Sequence, residues 1–187
     1  MLSPIKVALF AFIFFATVAF AIPAPTLDVR SQNPSALISR NNLALERALL
    51  PLANLAPPNA TSDCVGPIIQ ETVEILAELI NSLRLSSLSG CGCTGGEIVE
   101  LLAITLKIIL DPLRIVYVSY PNLIFLLGSL VTLVVELVQV TLALVGGLVG
   151  ELVFFLIGNG CAGIILELKL GAIVHVLGLG GLLGHLL

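Results

Sequence analysis

From Pro67 to about Leu85, apolar residues recur at three- and four-residue steps, at Ile69, Val73, Leu76, Ile80 and Leu83. Gln70, Glu74, Glu78 and Asn81 occupy the opposite stripe. Steps of that size return to one face of an α-helix, so the pattern predicts an amphipathic helix with one dry and one wet side. Pro67 stands where a first helical turn tolerates proline. Ser86 to Gly96 contains two further serines and four glycines around Cys91 and Cys93, which predicts a loop. A second helix is expected from Glu97 to about Tyr117, bent or interrupted at Pro112. Its polar residues Glu97, Glu100, Lys107, Asp111 and Arg114 fall on one narrow line, with Ile104 as the apolar member of that line. Nearly everything else on the helix is Leu, Ile, Val or Ala, so it should be buried on most sides. Lys107 and Asp111, four residues apart, read as a helix surface pair.

After a turn at Ser119-Tyr-Pro-Asn122, one long segment is predicted from Leu123 to Ile157. The polar line thins there to Ser129, Thr132, Glu136 and Gln139, continuing through Ala143, Gly146 and Gly150 in the same rhythm. Gly158-Asn-Gly160 breaks the segment before Cys161. The final stretch, Ala162 to Leu187, keeps the rhythm through Glu167, Gly171, Val174, Gly178, Gly181 and His185. Its glycines would weaken an isolated helix by about 1 kcal/mol each, so it should hold its shape only through packing or in an apolar medium. The expected fold class is therefore all-α, a bundle of about four very apolar helical segments over residues 64–187.

The segments before residue 64 differ in character. Met1 to Lys6 carries one cation, Val7 to Phe20 is apolar but short for a membrane span, and small residues follow near Ala19 and Ala21. That order describes a secretory signal peptide over residues 1–21. The Ala-Ile-Pro-Ala-Pro exit followed by Leu-Asp-Val-Arg30 is similar in style to the leaders of small secreted fungal proteins, a likeness that names no family. Residues 22–63 bring Pro23, Pro25, Pro34, Pro51, Pro57 and Pro58 together with Asn, Ser and three arginines. We expect a disordered linker or propeptide there, apart from a short helix over Asn42 to Leu50. Asn59-Ala60-Thr61 is an N-glycosylation sequon, with Asn59 as the acceptor in a secreted chain.

Secretion also governs the cysteines. Cys64, Cys91, Cys93 and Cys161 are even in number, and an oxidising compartment predicts two disulfides. Only Gly92 separates Cys91 from Cys93, so a bridge between them should be strained, and each is expected to bond outward, one to Cys64 and the other to Cys161. A Cys-x-Cys redox or metal site is the sharper alternative, without a His or acidic cluster beside it to support metal binding.

Composition raises the question of where such helices put their outer faces. Of the 187 residues, 58 % are hydrophobic and 11 % charged, and the mean hydropathy is +1.14. Ordinary soluble domains carry about 25 % charge, so some apolar surface here must face something other than water. The formal net charge is −4, and more negative once Lys6 leaves with the signal, which argues against nucleic acid and against an electrostatic grip on anionic lipid. Trp is absent. His175 and His185 do not share a helical face, and neither a nucleophile elbow, a zinc-helix motif nor a phosphate loop occurs. We expect no enzyme activity, no cofactor and no metal.

The leading expectation is a secreted, interface-active protein that associates with itself at a cell wall, cell surface or lipid boundary. This role resembles that of the fungal hydrophobins; their eight-cysteine pattern is absent, so the likeness implies neither their fold nor their residues. A membrane-embedded or pore-forming protein is the alternative, since a span of about 20 residues through Leu123 to Gly150 would bury Glu136 at roughly 2.5 to 3.5 kcal/mol. A glycolipid anchor, with its small-residue site near Gly158 to Gly163 and the apolar tail Ala172 to Leu187, is a variant of that reading. A secreted lipid carrier ranks below both, because only the Pro67 to Leu85 helix has a clearly polar outside.

Overall fold

The computed structural model describes residues 33–54, 61–89, 91–168 and 170–177. The signal peptide, the sequon at Asn59 and the tail from Gly178 lie outside the described residues. Within them the chain forms seven α-helices and one 3-10 segment, with no strand among the described residues. The helices are α1 (Pro34–Ala53), α2 (Ser62–Arg84), α3 (Gly95–Ser119), α4 (Gly128–Leu144), α5 (Val149–Gly158), α6 (Cys161–Glu167) and α7 (Gly171–Val176). The 3-10 segment, Pro121–Leu127, leads directly into α4. The all-α class stands.

Helix α1 contains the short helix expected over Asn42 to Leu50 and extends it to Pro34–Ala53, which corrects the disorder expected for the rest of that range. Asn33 opens it: the side-chain Oδ1 accepts the Ser35 N–H at 2.9 Å, and Pro34 occupies the first turn where its missing N–H costs nothing. Ile38, Asn42, Leu45, Leu49 and Leu52 then recur at alternating four- and three-residue steps, and all five are buried. The stripe is hard to see in the sequence because a polar residue, Asn42, stands in its middle and Pro51 near its end. Asn42 is accommodated by a partner: its Oδ1 accepts the Thr105 hydroxyl of α3 at 2.7 Å, so the buried amide oxygen is satisfied. In the fold, α1 packs chiefly on α3 and α2. Consecutive α2 and α3 touch each other little, and α1 fills the space between them.

Helix α2 begins at Ser62, earlier than Pro67 suggested. Pro67 lies inside it on the exposed side, where its lost N–H removes one helical hydrogen bond without blocking the core. Ile69, Leu76, Ile80 and Leu83 of the expected apolar stripe are buried, joined by Val65, Thr72 and Leu79. Asp63 in the first turn and Arg84 in the last both complement the helix dipole.

Helix α3 matches its expected extent within two residues at each end. Thr94 and Glu97 form a capping box, Thr94 Oγ1 accepting the Glu97 N–H at 3.2 Å and Glu97 Oε2 accepting the Thr94 N–H at 2.8 Å. The expected line of Glu97, Glu100, Ile104, Lys107, Asp111 and Arg114 faces outward, and the rest of the helix supplies eleven buried residues. Pro112 sits within the helix, buried.

The segment expected to run unbroken from Leu123 to Ile157 is divided. Gly146 and Gly147 take φ of +72° and +84°, a left-handed conformation that glycine adopts without a Cβ clash, and α4 stops there. The Gly147 N–H closes the helix end on the Leu142 carbonyl at 2.8 Å. This turn packs on the start of α3, since a Cβ placed on Gly95 would lie 2.8 Å from Leu148 Cδ1. Gly160, at φ +76°, makes the expected break before Cys161, and α6 departs from α5 at 90°. What was read as a single last segment is two short helices within its described part, α6 and α7.

A direct check of α1 is Leu45→Ala, which should lower the unfolding free energy by about 2 to 5 kcal/mol in denaturant titration, as for other buried leucines. Arg40→Ala, exposed on the same helix, should stay within about 0.5 kcal/mol of wild type. Equal small effects from the two would show that α1 is not packed.

Candidate functional site

The polar stripes do more than solvate the surface. Glu136, half-buried on α4, pairs with Arg84 at the end of α2, so the acid most out of place in an apolar helix is spent on a tie between helices. Arg114 pairs with Glu167 at 2.6 Å and ties α3 to α6. Both pairs are partly exposed, and such pairs contribute at most about 1 kcal/mol each. Glu97 serves the capping box, Glu74 accepts from Gln70 Nε2 at 3.0 Å, and Glu78 and Glu100 are exposed. Lys107 and Asp111 are both exposed, one turn apart on the outward line of α3. Among the described residues no three His, Cys, Asp or Glu side chains gather as a metal site.

The cysteines depart furthest from expectation. Cys91 and Cys93 stand at disulfide distance from each other, with their Cα atoms 5.3 Å apart, while Cys64 and Cys161 are free. Gly92 makes this geometry available: its φ of +68° folds the three residues back on themselves, a conformation open to glycine. The expected outward pairings fail on distance. Cys64 lies in the first turn of α2 and Cys91 beyond its last, and the helix between them is roughly 30 Å long. Cys161 is buried with Sγ 4.0 Å from the Ala103 carbonyl, more than two turns along α3 from Cys93. A bridge closing so short a loop as Cys91 to Cys93 restricts the unfolded chain little, on the order of 1.5 kcal/mol against about 3 for a 15-residue loop.

What the surface offers is apolar. Val118 near the end of α3 is 60 % exposed and Phe125 in the 3-10 segment 72 %, while on α5 Phe154 and Ile157 are 72 % and 64 % exposed. Phe154 and Ile157 are three residues apart and so share one helical face, with Glu151 a further turn back. An open groove of about 410 Å³ runs between α3 and α6, lined by Asp111, Arg114, Ile115, Val118, Ser119 and Glu167. The Arg114 to Glu167 ion pair lies in it, and Leu166, next to Glu167, is exposed. Among the described residues one helical stretch, Leu123–Leu144, is long and apolar enough to cross a membrane, with mean hydropathy 2.3 and 33 % of its most apolar window buried, and α5 with α6, bent by 90°, passes the same test only as a pair. Apart from Glu151, α5 is Leu, Val, Ile, Phe and Gly, so there is little contrast in the sequence by which to single out Phe154 and Ile157 as outward.

Burial pushes the Cys161 thiol from 9.0 up to about 11, with the charge of Asp111 adding to the effect and Lys107 opposing it. The folded state thus holds the neutral thiol, and this part of its stability is present below pH 9.0 and lost as the pH rises toward 11. At pH 8 a maleimide should label Cys64 rapidly and Cys161 only after denaturation, as read by mass spectrometry. Rapid labelling of Cys161 in the folded chain would contradict its burial.

No protein family, curated protein or solved structure matches this chain.

Proposed function

We propose that the chain is a secreted, interface-active protein that associates with itself and with hydrophobic or lipid boundaries through its outward apolar side chains. The observation that carries this reading is the exposure of Val118, Phe125, Phe154 and Ile157 on a protein that is only 11 % charged. Fully removing a side chain of this size from water is worth about 1.5 to 3 kcal/mol. Four such residues placed at a boundary together supply about 6 to 12 kcal/mol, the same order as the roughly 4 to 15 kcal/mol that association costs. The charged residues favour the same division of labour, because Glu97, Arg114, Glu136 and Glu167 are engaged in caps and inter-helix ties. Net negative charge leaves apolar contact, rather than attraction to anionic headgroups, as the driving force.

A membrane-embedded form is the second reading, favoured by the Leu123–Leu144 stretch. Its most exposed large apolar side chain is Phe125, at the aqueous end of a span in that reading, and Glu136 would enter the bilayer paired with Arg84.

The two readings separate in one experiment on the mature chain. The interface-active form should be recovered from the medium without detergent, sediment as assemblies and lower surface tension. Replacing Phe154 and Ile157 together by Ser should weaken self-association by at least about tenfold with unchanged helicity, because neither side chain is in the core. Extraction from membranes only by detergent would favour the embedded form. A detergent-free monomer with no effect on surface tension would overturn both.

A further inference from the structure

We propose that Cys91-Gly92-Cys93 is a thiol–disulfide exchange site acting on low-molecular-weight thiols and their disulfides, independent of the apolar surface. Three observations meet at this turn. First, the bridge joins residues two apart and links no separate elements, so cross-linking the fold is not its task. Secondly, the turn is reachable: Gly92 is exposed with φ +68°, no atom other than those of its two chain neighbours lies within 4 Å of the place a side chain would occupy there, and Cys91 and Cys93 are each half-buried. Thirdly, a donor is already aimed at sulfur, since the Cys93 N–H points at Cys91 Sγ at 3.3 Å. The same sulfur lies 3.3 Å from the Leu88 carbonyl and 3.8 Å from that of Cys93, acceptors for a thiol proton. Cys93 directly precedes Thr94, the N-cap of the 25-residue α3, whose positive end favours thiolate over thiol. Glu97, the acid of that first turn, is held by the Thr94 N–H.

The chemistry balances with a thiol couple as the other partner. In the reduced protein the Cys91 thiolate, accepting the Cys93 N–H, attacks one sulfur of a disulfide RSSR. The RS–SR bond breaks as the Cys91 Sγ–SR bond forms, and RS⁻ leaves to take up the proton Cys91 lost. Cys93, as thiolate, then attacks Cys91 Sγ, closes the Cys91–Cys93 bond and expels the second RS⁻, which takes the Cys93 proton. Two electrons pass from the dithiol to RSSR, giving two RSH, and the reverse sequence with two thiols reopens the bridge. Cys91 is the nucleophile and Cys93 the resolving residue. Cys64, on α2, and Cys161, buried against α3, take no part.

The test uses the full chain carrying Cys64→Ser, with glutathione and a self-quenched fluorescent glutathione disulfide as probes. This protein should reduce the fluorescent disulfide, with glutathione as the recycling reductant, at least about tenfold faster than the same protein carrying Cys91→Ser and Cys93→Ser. Cys93→Ser alone, given glutathione disulfide without added glutathione, should stop with glutathione bound at Cys91, visible as one adduct by mass spectrometry. Circular dichroism should show equal helicity in all variants, because the bridge holds no helices together. Resistance of the pair to millimolar glutathione in the folded protein, turnover that survives the double substitution, or loss of helicity on removing the bridge would each overturn the proposal.

Discussion

The wedge of α1 between α2 and α3 is the contact on which the remaining helices depend. Helices α2 and α3 are neighbours in sequence and yet meet only slightly, because a 10-residue connection from Leu85 to Thr94 lets them stand apart. The gap is filled by Ile38, Leu45, Leu49 and Leu52 of α1, each at most 2 % exposed. Removing that stripe would leave the facing sides of α2 and α3 wet, and burial of apolar area is the dominant favourable contribution to folding. The hydrogen bond from the Thr105 hydroxyl to Asn42 Oδ1 sets the register of the wedge, since sliding α1 by one turn along α3 would strand a buried amide among leucines.

From this centre the later helices follow as coverings. The outer side of α2 receives α4, and α3 receives α5 and α6, with α7 returning to α4. The positive-φ glycines at 146, 147 and 160 set the corners, and long-range ion pairs at Arg84 to Glu136 and Arg114 to Glu167 close two of the seams. The charges are few, and several are directed at other helices. With 11 % of its residues charged, the chain has few charges with which to wet the surface around Phe125, Phe154 or Ile157.

The Cys91–Cys93 bridge belongs to a different kind of feature. It crosses no seam and lies where the loop meets the capping box of α3, so whatever it contributes is local chemistry rather than global restraint. Cys161 shows the opposite behaviour, a thiol held neutral deep against α3. One chain thus holds a thiol shielded by packing and a sulfur pair set in a glycine turn between two helices.

Periodicity alone was sufficient for the helical class, for the dry face of α2 and for the narrow polar line of α3 from Glu97 to Arg114, because a 3.6-residue repeat is a local property that survives in any helical packing. It was sufficient also for the break at Gly158 to Gly160, where glycine chemistry is local too. A short helix over Asn42 to Leu50 was legible, but its extension to Pro34 and its central place were not, because the buried partner of Asn42 is Thr105, 63 positions along the chain. The same holds for the cysteines and for the outward pair Phe154 and Ile157. That Cys64 and Cys161 stand too far off to pair with Cys91 or Cys93, and which side chains of the mostly apolar α5 stay wet, are questions of distance between segments far apart in sequence, and only the tertiary packing supplies those distances.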